Sequence, residues 1–165
     1  GRDIPGGATA FNEVQLPLPG IPLASNIGFR ILGASADDRL GSSVSAAGDV
    51  NNDGIDDIIV GAYVTNYSGF VDAGMTYVLF GRSPATQGSH PFGDIQTPTL
   101  TMPANVGFRI LGAADNDYSG WSVSGAGDVN GDGIDDIIVG AYNANPVSGN
   151  EAGISYVIFG RDIPG

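Results

Sequence analysis

The chain has 165 residues and 42% hydrophobic content, enough for one ordinary domain with a core, which excludes an intrinsically disordered polypeptide. Its net charge of −12, with Arg as the basic residue at all six positions, repels phosphate backbones and anionic lipid surfaces, so nucleic-acid binding is not expected. Cys is absent and no apolar run approaches the roughly 18 to 20 residues of a membrane span, so disulfides, thiol chemistry and membrane insertion are not expected either.

Strand signals dominate the first half of the chain. The 27 glycines and 10 prolines interrupt helices and favour short strands joined by turns. After a Pro-rich connector over 1–26, residues 28–32 are the first predicted strand, and 43–47 follow with alternating small polar and apolar residues. Residues 55–62 carry a near-continuous apolar run, typical of a strand covered on both faces, and 75–80 are rich in β-branched and aromatic residues.

The second half of the chain repeats the first. Residues 28–82 return as 107–161 without a gap, 79 positions later, and 36 of the 55 aligned residues are identical. A second Pro-rich connector lies between the copies and is long for a loop, so we expect an extra short strand near Ile95, as we do near Val14 in the first connector. Such an agreement indicates a duplication. We interpret the chain either as two units cut from a longer repeat array or as a unit whose copies join head to tail.

Four short strands per repeat and no amphipathic helix predict an all-β fold. The expected units are β-propeller blades, each a four-stranded antiparallel sheet, with two blades per chain. The predicted domain organisation is a single propeller segment, 1–165, made of a connector with an outer strand (1–34), a first blade (35–113) and a second blade without its own outer strand (114–165).

Two blades cannot close a ring by themselves, because an isolated pair leaves sheet faces bare. The strand at 28–32 has no blade, and the second blade has no outer strand. We therefore expect oligomerisation to complete the ring. The strand at 28–32 of each chain would pair with the last blade of its neighbour, in a cyclic homotrimer of six blades or a homotetramer of eight. A trimmed fragment that is only marginally stable is the alternative.

The segment 49–57 and its copy 128–136 are the most informative motifs. Side chains with oxygen atoms occupy loop positions 1, 3, 5 and 9, and Gly follows the third of them. Calcium takes six to eight oxygen ligands at about 2.3–2.6 Å, and alternate residues of a tight loop can supply them, position 7 through its backbone carbonyl. The predicted calcium ligands are Asp49, Asn51, Asp53, Ile55 and Asp57 in the first loop, and Asp128, Asn130, Asp132, Ile134 and Asp136 in the second.

The loops also allow two other interpretations. An EF-hand would place Glu at the twelfth position, which is Val60 in one copy and Val139 in the other, and its flanks would be helical. An Asx-rich surface turn without an ion is the second alternative. Asp56 and Asp135 are expected to lie outside the ligand set and to point to solvent.

The combined pattern resembles the FG-GAP repeat, the blade unit of the integrin α-chain propeller and of many secreted bacterial proteins. Phe80-Gly81 and Phe159-Gly160 are similar to its FG, and residues 61–63 and 140–142, both Gly-Ala-Tyr, to its GAP with Tyr in place of Pro. The resemblance implies a β-propeller with calcium in hairpin loops between the first two strands of each blade. It also favours an extracellular location for the parent protein.

The leading functional hypothesis is a non-catalytic structural or binding scaffold with about one Ca²⁺ per blade and a protein or glycan ligand that the sequence does not name. A lectin-like propeller, an accessory part of a secreted calcium-dependent enzyme, and an engineered or excised unit are the alternatives. Trp121 could stack on a sugar, although packing against a neighbouring blade is the favoured role. The single histidine, His90, lies in a connector and has no counterpart in the first repeat, so no catalytic residue is predicted.

Overall fold

The computed structural model describes residues 15–24, 27–83, 93–98, 101–146 and 151–163. Val14, His90 and most of the first connector lie outside these residues. The described residues form strands and no helix, and so contain no helix able to cross a membrane. The strands are β1 (Ile31–Leu32), β2 (Ser43–Gly48), β3 (Asp57–Ala62), β4 (Met75–Leu79), β5 (Ile95–Gln96), β6 (Gly107–Leu111), β7 (Ser119–Gly127), β8 (Asp136–Ala141) and β9 (Ile154–Ile158). The all-β prediction is confirmed.

The first blade is a four-stranded antiparallel sheet in the order β2-β3-β4-β6. Val60 pairs with Tyr77, and Tyr77 pairs with Arg109 on its other side, so β4 is hydrogen-bonded along both edges. β3 begins two residues later than the predicted strand, at Asp57, because Ile55 and Asp56 belong to the preceding loop. The outer strand of this blade, β6, therefore comes from residues that follow the second connector.

The second blade contains three antiparallel strands in the order β7-β8-β9. Val139 pairs with Tyr156 in the register of the first blade, and an irregularity between Gly125 and Gly127 repeats the one between Ala46 and Gly48. Within the described part of the chain, β9 pairs with β8 alone, so the edge that β6 covers on β4 is open on β9.

The predicted strand at 28–32 is shorter than expected and pairs within the chain. Only Ile31–Leu32 is a strand, and it runs parallel to Ile95–Gln96, where an extra strand was expected. The Ile95 amide donates to the Arg30 carbonyl, and Arg30 forms an ion pair with Asp94. Within the chain, the second connector therefore provides the hydrogen-bonding partner of this segment through β5.

The main core lies between the two blades. Ile59 and Val78 of the first sheet and Val123 and Val139 of the second belong to one cluster of buried apolar side chains. This arrangement explains the continuous apolar run of β3, which is covered by its own blade's strands and by the next blade. Blade-on-blade packing is therefore the principal source of apolar burial in the chain.

Equivalent residues of the two repeats differ sharply in exposure. Val50 is 3% exposed and its copy Val129 is 57% exposed, while Phe80 is 7% exposed and its copy Phe159 is 54% exposed. The second blade covers the first members of these pairs, and within the described chain no blade covers the second members. On the opposite face the difference is reversed, since Val44 of the first blade is 65% exposed and its copy Val123 is 6% exposed. Both ends of the two-blade unit thus present apolar surface.

The backbones of the two blades lie close together at Gly61. A Cβ atom added to Gly61 would lie 2.0 Å from the carbonyl oxygen of Gly120, whereas a Cβ on Gly140, the copy of Gly61, would find its nearest neighbour at 3.6 Å. Gly61 lets the end of β3 lie directly against the start of β7.

We expect Gly61→Ala to destabilise the chain by about 1–3 kcal/mol, since the methyl group must push the two blades apart. Gly140→Ala is the matched control and should change stability by less than about 0.5 kcal/mol in protein dilute enough to be monomeric. Urea unfolding followed by circular dichroism measures both. Equal effects of the two substitutions would contradict this packing.

Candidate metal centre

Each aspartate-rich loop joins the first two strands of a blade. The first connects β2, which ends at Gly48, to β3, which begins at Asp57, and the second connects β7 to β8 in the same way. A loop in this position lies at one end of its sheet, next to the neighbouring blade. All ten predicted ligand positions fall in these loops or at the first residue of the following strand.

The first loop is shaped by its own side chains. Asp49 accepts hydrogen bonds from the amides of Asp53 at 3.0 Å and Gly54 at 2.8 Å. Asn51 accepts from the same Asp53 amide at 3.1 Å and donates its side-chain amide to Asp53 Oδ2 at 3.0 Å. Asp53 accepts from the Ile55 amide at 2.9 Å. Side-chain oxygens from loop positions 1, 3 and 5 therefore converge on one turn of backbone.

The second loop repeats this pattern. Asp128 accepts from the amides of Asp132 at 3.0 Å and Gly133 at 2.8 Å. Asn130 accepts from the Asp132 amide at 2.9 Å and donates to Asp132 Oδ2 at 2.8 Å, while Asp132 accepts from the Ile134 amide at 2.9 Å. The same local sequence thus folds into the same turn in both blades.

Asp57 links its loop to the segment that follows β4. Its carboxylate is buried and accepts from the amides of Val50 at 3.1 Å and Gly81 at 2.8 Å. Asp136 makes the two corresponding bonds, at 2.8 and 2.9 Å, in the second blade. A Cβ on Gly81 would lie 2.4 Å from the carbonyl oxygen of Asp56, so the glycine of the Phe-Gly pair allows this approach.

The electrostatics of the first loop reflect this burial. Desolvation raises the pKa of the Asp57 carboxyl to about 6, although its two backbone hydrogen bonds act in the opposite direction. The negative charges of Asp53 and Asp49 contribute to this increase in pKa, which places these carboxylates within electrostatic reach of Asp57. The loop therefore carries like charges that a bound cation would offset.

The donor set fits calcium chemically, although the described residues do not assemble a complete acidic cluster. Among those residues, no three Asp, Glu, His or Cys side chains lie close enough together to hold a metal ion. The convergent oxygens come from two aspartates and one asparagine, and both oxygens of Asp57 already accept backbone amides. A carboxylate oxygen has a second lone pair, so these amide bonds leave capacity for a cation. The ligand assignments stay predictions.

The expectation that Asp135 points to solvent is wrong. Its Oδ2 accepts from the Asp49 amide of the first loop at 3.0 Å, and its own amide lies 3.4 Å from the Asp49 carbonyl. Asp56, its copy, is exposed as expected. Asp56 and Asp135 have the same neighbours in sequence. Their environments differ only because one blade packs on the other.

The chain's last described residues also cover the first loop. The amide of Arg161 donates to the Val50 carbonyl at 3.0 Å, and the amide of Ile163 donates to the Asn51 carbonyl at 3.2 Å. Asn51 is buried in consequence, whereas its copy Asn130 is exposed. The two loops therefore share their internal structure and differ in what surrounds them.

Other carboxylates that could suggest catalysis have backbone partners. Asp38 accepts from the Ser35 amide, and its copy Asp117 accepts from the Ala114 amide, both at 2.9 Å. Asp115 accepts from the Val71 amide at 2.8 Å. Asp38 and Asp117 thereby stabilise local turns. Asp115 instead links two segments that are 44 residues apart in the chain.

Trp121 packs between the blades, as the sequence favoured. Its ring lies edge-on to Tyr63 of the first blade at a centroid distance of 4.5 Å and is tilted against Tyr142 of its own blade at 4.9 Å. Tyr118 stacks on Tyr142 at 5.5 Å and completes a four-ring cluster. Trp121 and Tyr142 are still about half exposed. Glycan binding by this cluster stays a prediction.

Comparison with known proteins gives two findings. The FG-GAP repeat family matches residues 40–79 and 119–158. Integrin alpha pat-2 of Caenorhabditis elegans is 35% identical over 132 residues, covering 75% of this chain, and integrin alpha-IIb of Homo sapiens is 34% identical over 110 residues, covering 67%. Integrin alpha-V of Gallus gallus is 30% identical over 127 residues, covering 76%. The chain spans 9–10% of the length of these relatives.

The raised pKa of Asp57 predicts a pH dependence of stability. Because the folded pKa is about 6 and that of an unfolded Asp is about 3.9, ionisation of Asp57 costs stability. This cost is absent below about pH 4 and complete above about pH 6. In calcium-free protein, lowering the pH from 7 to 5 should stabilise the unsubstituted chain by about 1 kcal/mol more than Asp57→Asn, which cannot titrate. Urea unfolding at both pH values measures this difference, and identical pH dependence would contradict it.

Proposed function

Because the chain belongs to the FG-GAP repeat family, we propose that it is a calcium-binding, non-catalytic scaffold whose two blades form part of a closed β-propeller. The observation that carries this proposal is the pair of aspartate loops, each joining the first two strands of a blade.

The charge and the oxygen ligands of the two loops support the proposed calcium binding. Asp49, Asn51 and Asp53 direct oxygens to the same turn, and Asp57 lies within electrostatic reach of them. Calcium prefers such hard oxygen ligands, and the Ile55 carbonyl would add a neutral one. When bound, the ion supplies positive charge that offsets the repulsion among three carboxylates. It would thereby brace the hairpin between the first two strands, as it would through Asp128, Asn130, Asp132, Ile134 and Asp136 in the second blade.

A scaffold role fits what the other acidic side chains do. Asp38 and Asp117 accept backbone amides in local turns, and Asp115 accepts the amide of the distant Val71, so all three contribute to the fold. We propose that the parent protein presents this surface outside the cell, where calcium is abundant, and that loops at the blade ends contact a protein or glycan ligand.

Assembly into a ring is supported by the two exposed apolar ends. Val129 and Phe159 correspond to residues that the second blade buries on the first, and Val44 corresponds to a residue that the first blade buries on the second. The open edge of β9 corresponds to the edge of β4 that β6 covers. We propose that chains join head to tail through these surfaces, residues 28–32 of one chain pairing with β9 of another, into a homotrimer or homotetramer.

Calcium titration tests the metal proposal. We expect isothermal titration of chelator-treated protein to show about two Ca²⁺ per chain, and we expect calcium to raise the thermal midpoint, since the folded loops bind it and the unfolded chain does not. Asp53→Ala and the matched Asp132→Ala should each reduce the stoichiometry to about one. Full stoichiometry in both variants, or a thermal midpoint unaffected by chelator, would refute the structural role of the ion.

The mass of the calcium-loaded protein tests assembly. Light scattering at micromolar concentration should give three or four times the 16.7 kDa of one chain. Well-folded protein with the mass of a single chain would refute the proposed ring.

A further inference from the structure

The bond between Asp135 and the first loop shows how one blade holds the next. The Asp135 carboxylate lies directly over Gly48, where an added Cβ would come within 2.1 Å of Oδ2, and it accepts the Asp49 amide at 3.0 Å. Gly48 has a φ of +75°, so the backbone there favours glycine for its conformation as well as for its space. The contact therefore consists of an acidic side chain from one repeat and a Gly-Asp corner from the preceding one.

Both halves of this contact recur on the two outer sides of the two-blade unit, where neither meets the other half among the described residues. Asp56 is the copy of Asp135 and is exposed. Gly127 and Asp128 are the copies of Gly48 and Asp49, and a Cβ on Gly127 would meet nothing within 4 Å. The φ of Gly127 is +68°, close to that of Gly48, so the corner has the same shape in both blades. The space that Asp135 fills at Gly48 is open at Gly127.

We propose that Asp56 of one chain docks on Gly127 and Asp128 of a second copy, its carboxylate accepting the Asp128 amide. The occupant is a second copy of this chain because the contact continues an interface already formed inside it: the same residues, 79 positions apart, face each other in the same order. The apolar surfaces beside it match in the same way, with Val44 on the Asp56 side and Val129 on the other. This inference rests on the proposed self-assembly and names the residue pair that guides it.

The contact would determine the register between chains. Apolar burial is non-directional, so Val44 and Val129 by themselves tolerate sliding of one blade over another. A hydrogen bond from a backbone amide to a carboxylate is directional and stronger than a neutral one. Asp56 would therefore act as a positioning residue, aligning the chains so that strand pairing at β9 follows.

Two substitutions test the contact from its two sides. Asp56→Ala removes the acceptor, and Gly127→Ala fills the space that the carboxylate would occupy. The matched controls are Asp162→Ala, which removes one exposed carboxylate, and Gly131→Ala, which places Ala at a φ of +77° in the same loop with nothing within 4 Å of its Cβ. Circular dichroism and calcium stoichiometry establish that each full-length variant is folded.

Sedimentation equilibrium over a range of chain concentrations is the measurement, in calcium-containing buffer. We expect Asp56→Ala and Gly127→Ala each to raise the midpoint concentration of assembly at least tenfold, and the two controls to stay within twofold of the unsubstituted chain. Unchanged assembly of both variants would overturn the Asp56 contact while leaving the proposed ring intact. An unsubstituted chain that stays monomeric would contradict the ring itself, and the docking contact with it.

Discussion

Packing of one blade's apolar face against the next blade is the constraint on which the rest of the structure depends. The blades are thin sheets, and the main core lies between them. Burying a Val or Phe side chain is worth about 1.5–3 kcal/mol, so a stack of blades gains stability at every junction and loses it at every uncovered end. The described residues form one such junction and leave two ends of the stack uncovered. The contrast between Phe80 and its exposed copy Phe159 shows in one molecule what a neighbour contributes.

The aspartate loops are built into that junction. Asp57 joins its loop to the end of β4 through Gly81, and Asp135 joins the second blade's loop to the first through the Asp49 amide. Amides of the chain's last described residues cover the first loop as well. A loop with a following blade is therefore better enclosed than one without. The proposed cation would act on the same few backbone groups as blade docking, so we expect each to support the other.

Much of this fold could be predicted from the sequence, because repeats report strand positions twice. The strands of both blades, the loop positions and the missing outer strand follow from the alignment of the copies and from short-range patterns. Asp135 could not be placed in this way, since its copy Asp56 has the same neighbours in sequence and a different environment. The short β1 also differed, because hydrogen bonds to β5 depend on a connector whose course no local pattern specifies. In both cases the sequence pattern carries no information about contacts between segments that are distant along the chain.

The most direct measurement of the central claim is amide hydrogen exchange in β4 and in its copy β9 as a function of chain concentration. β4 is paired along both edges and β9, among the described residues, along one. The account predicts that in dilute protein residues 154–158 exchange faster than residues 75–79, and that their protection rises toward that of β4 as the concentration increases. Protection of β9 that is independent of concentration would contradict it.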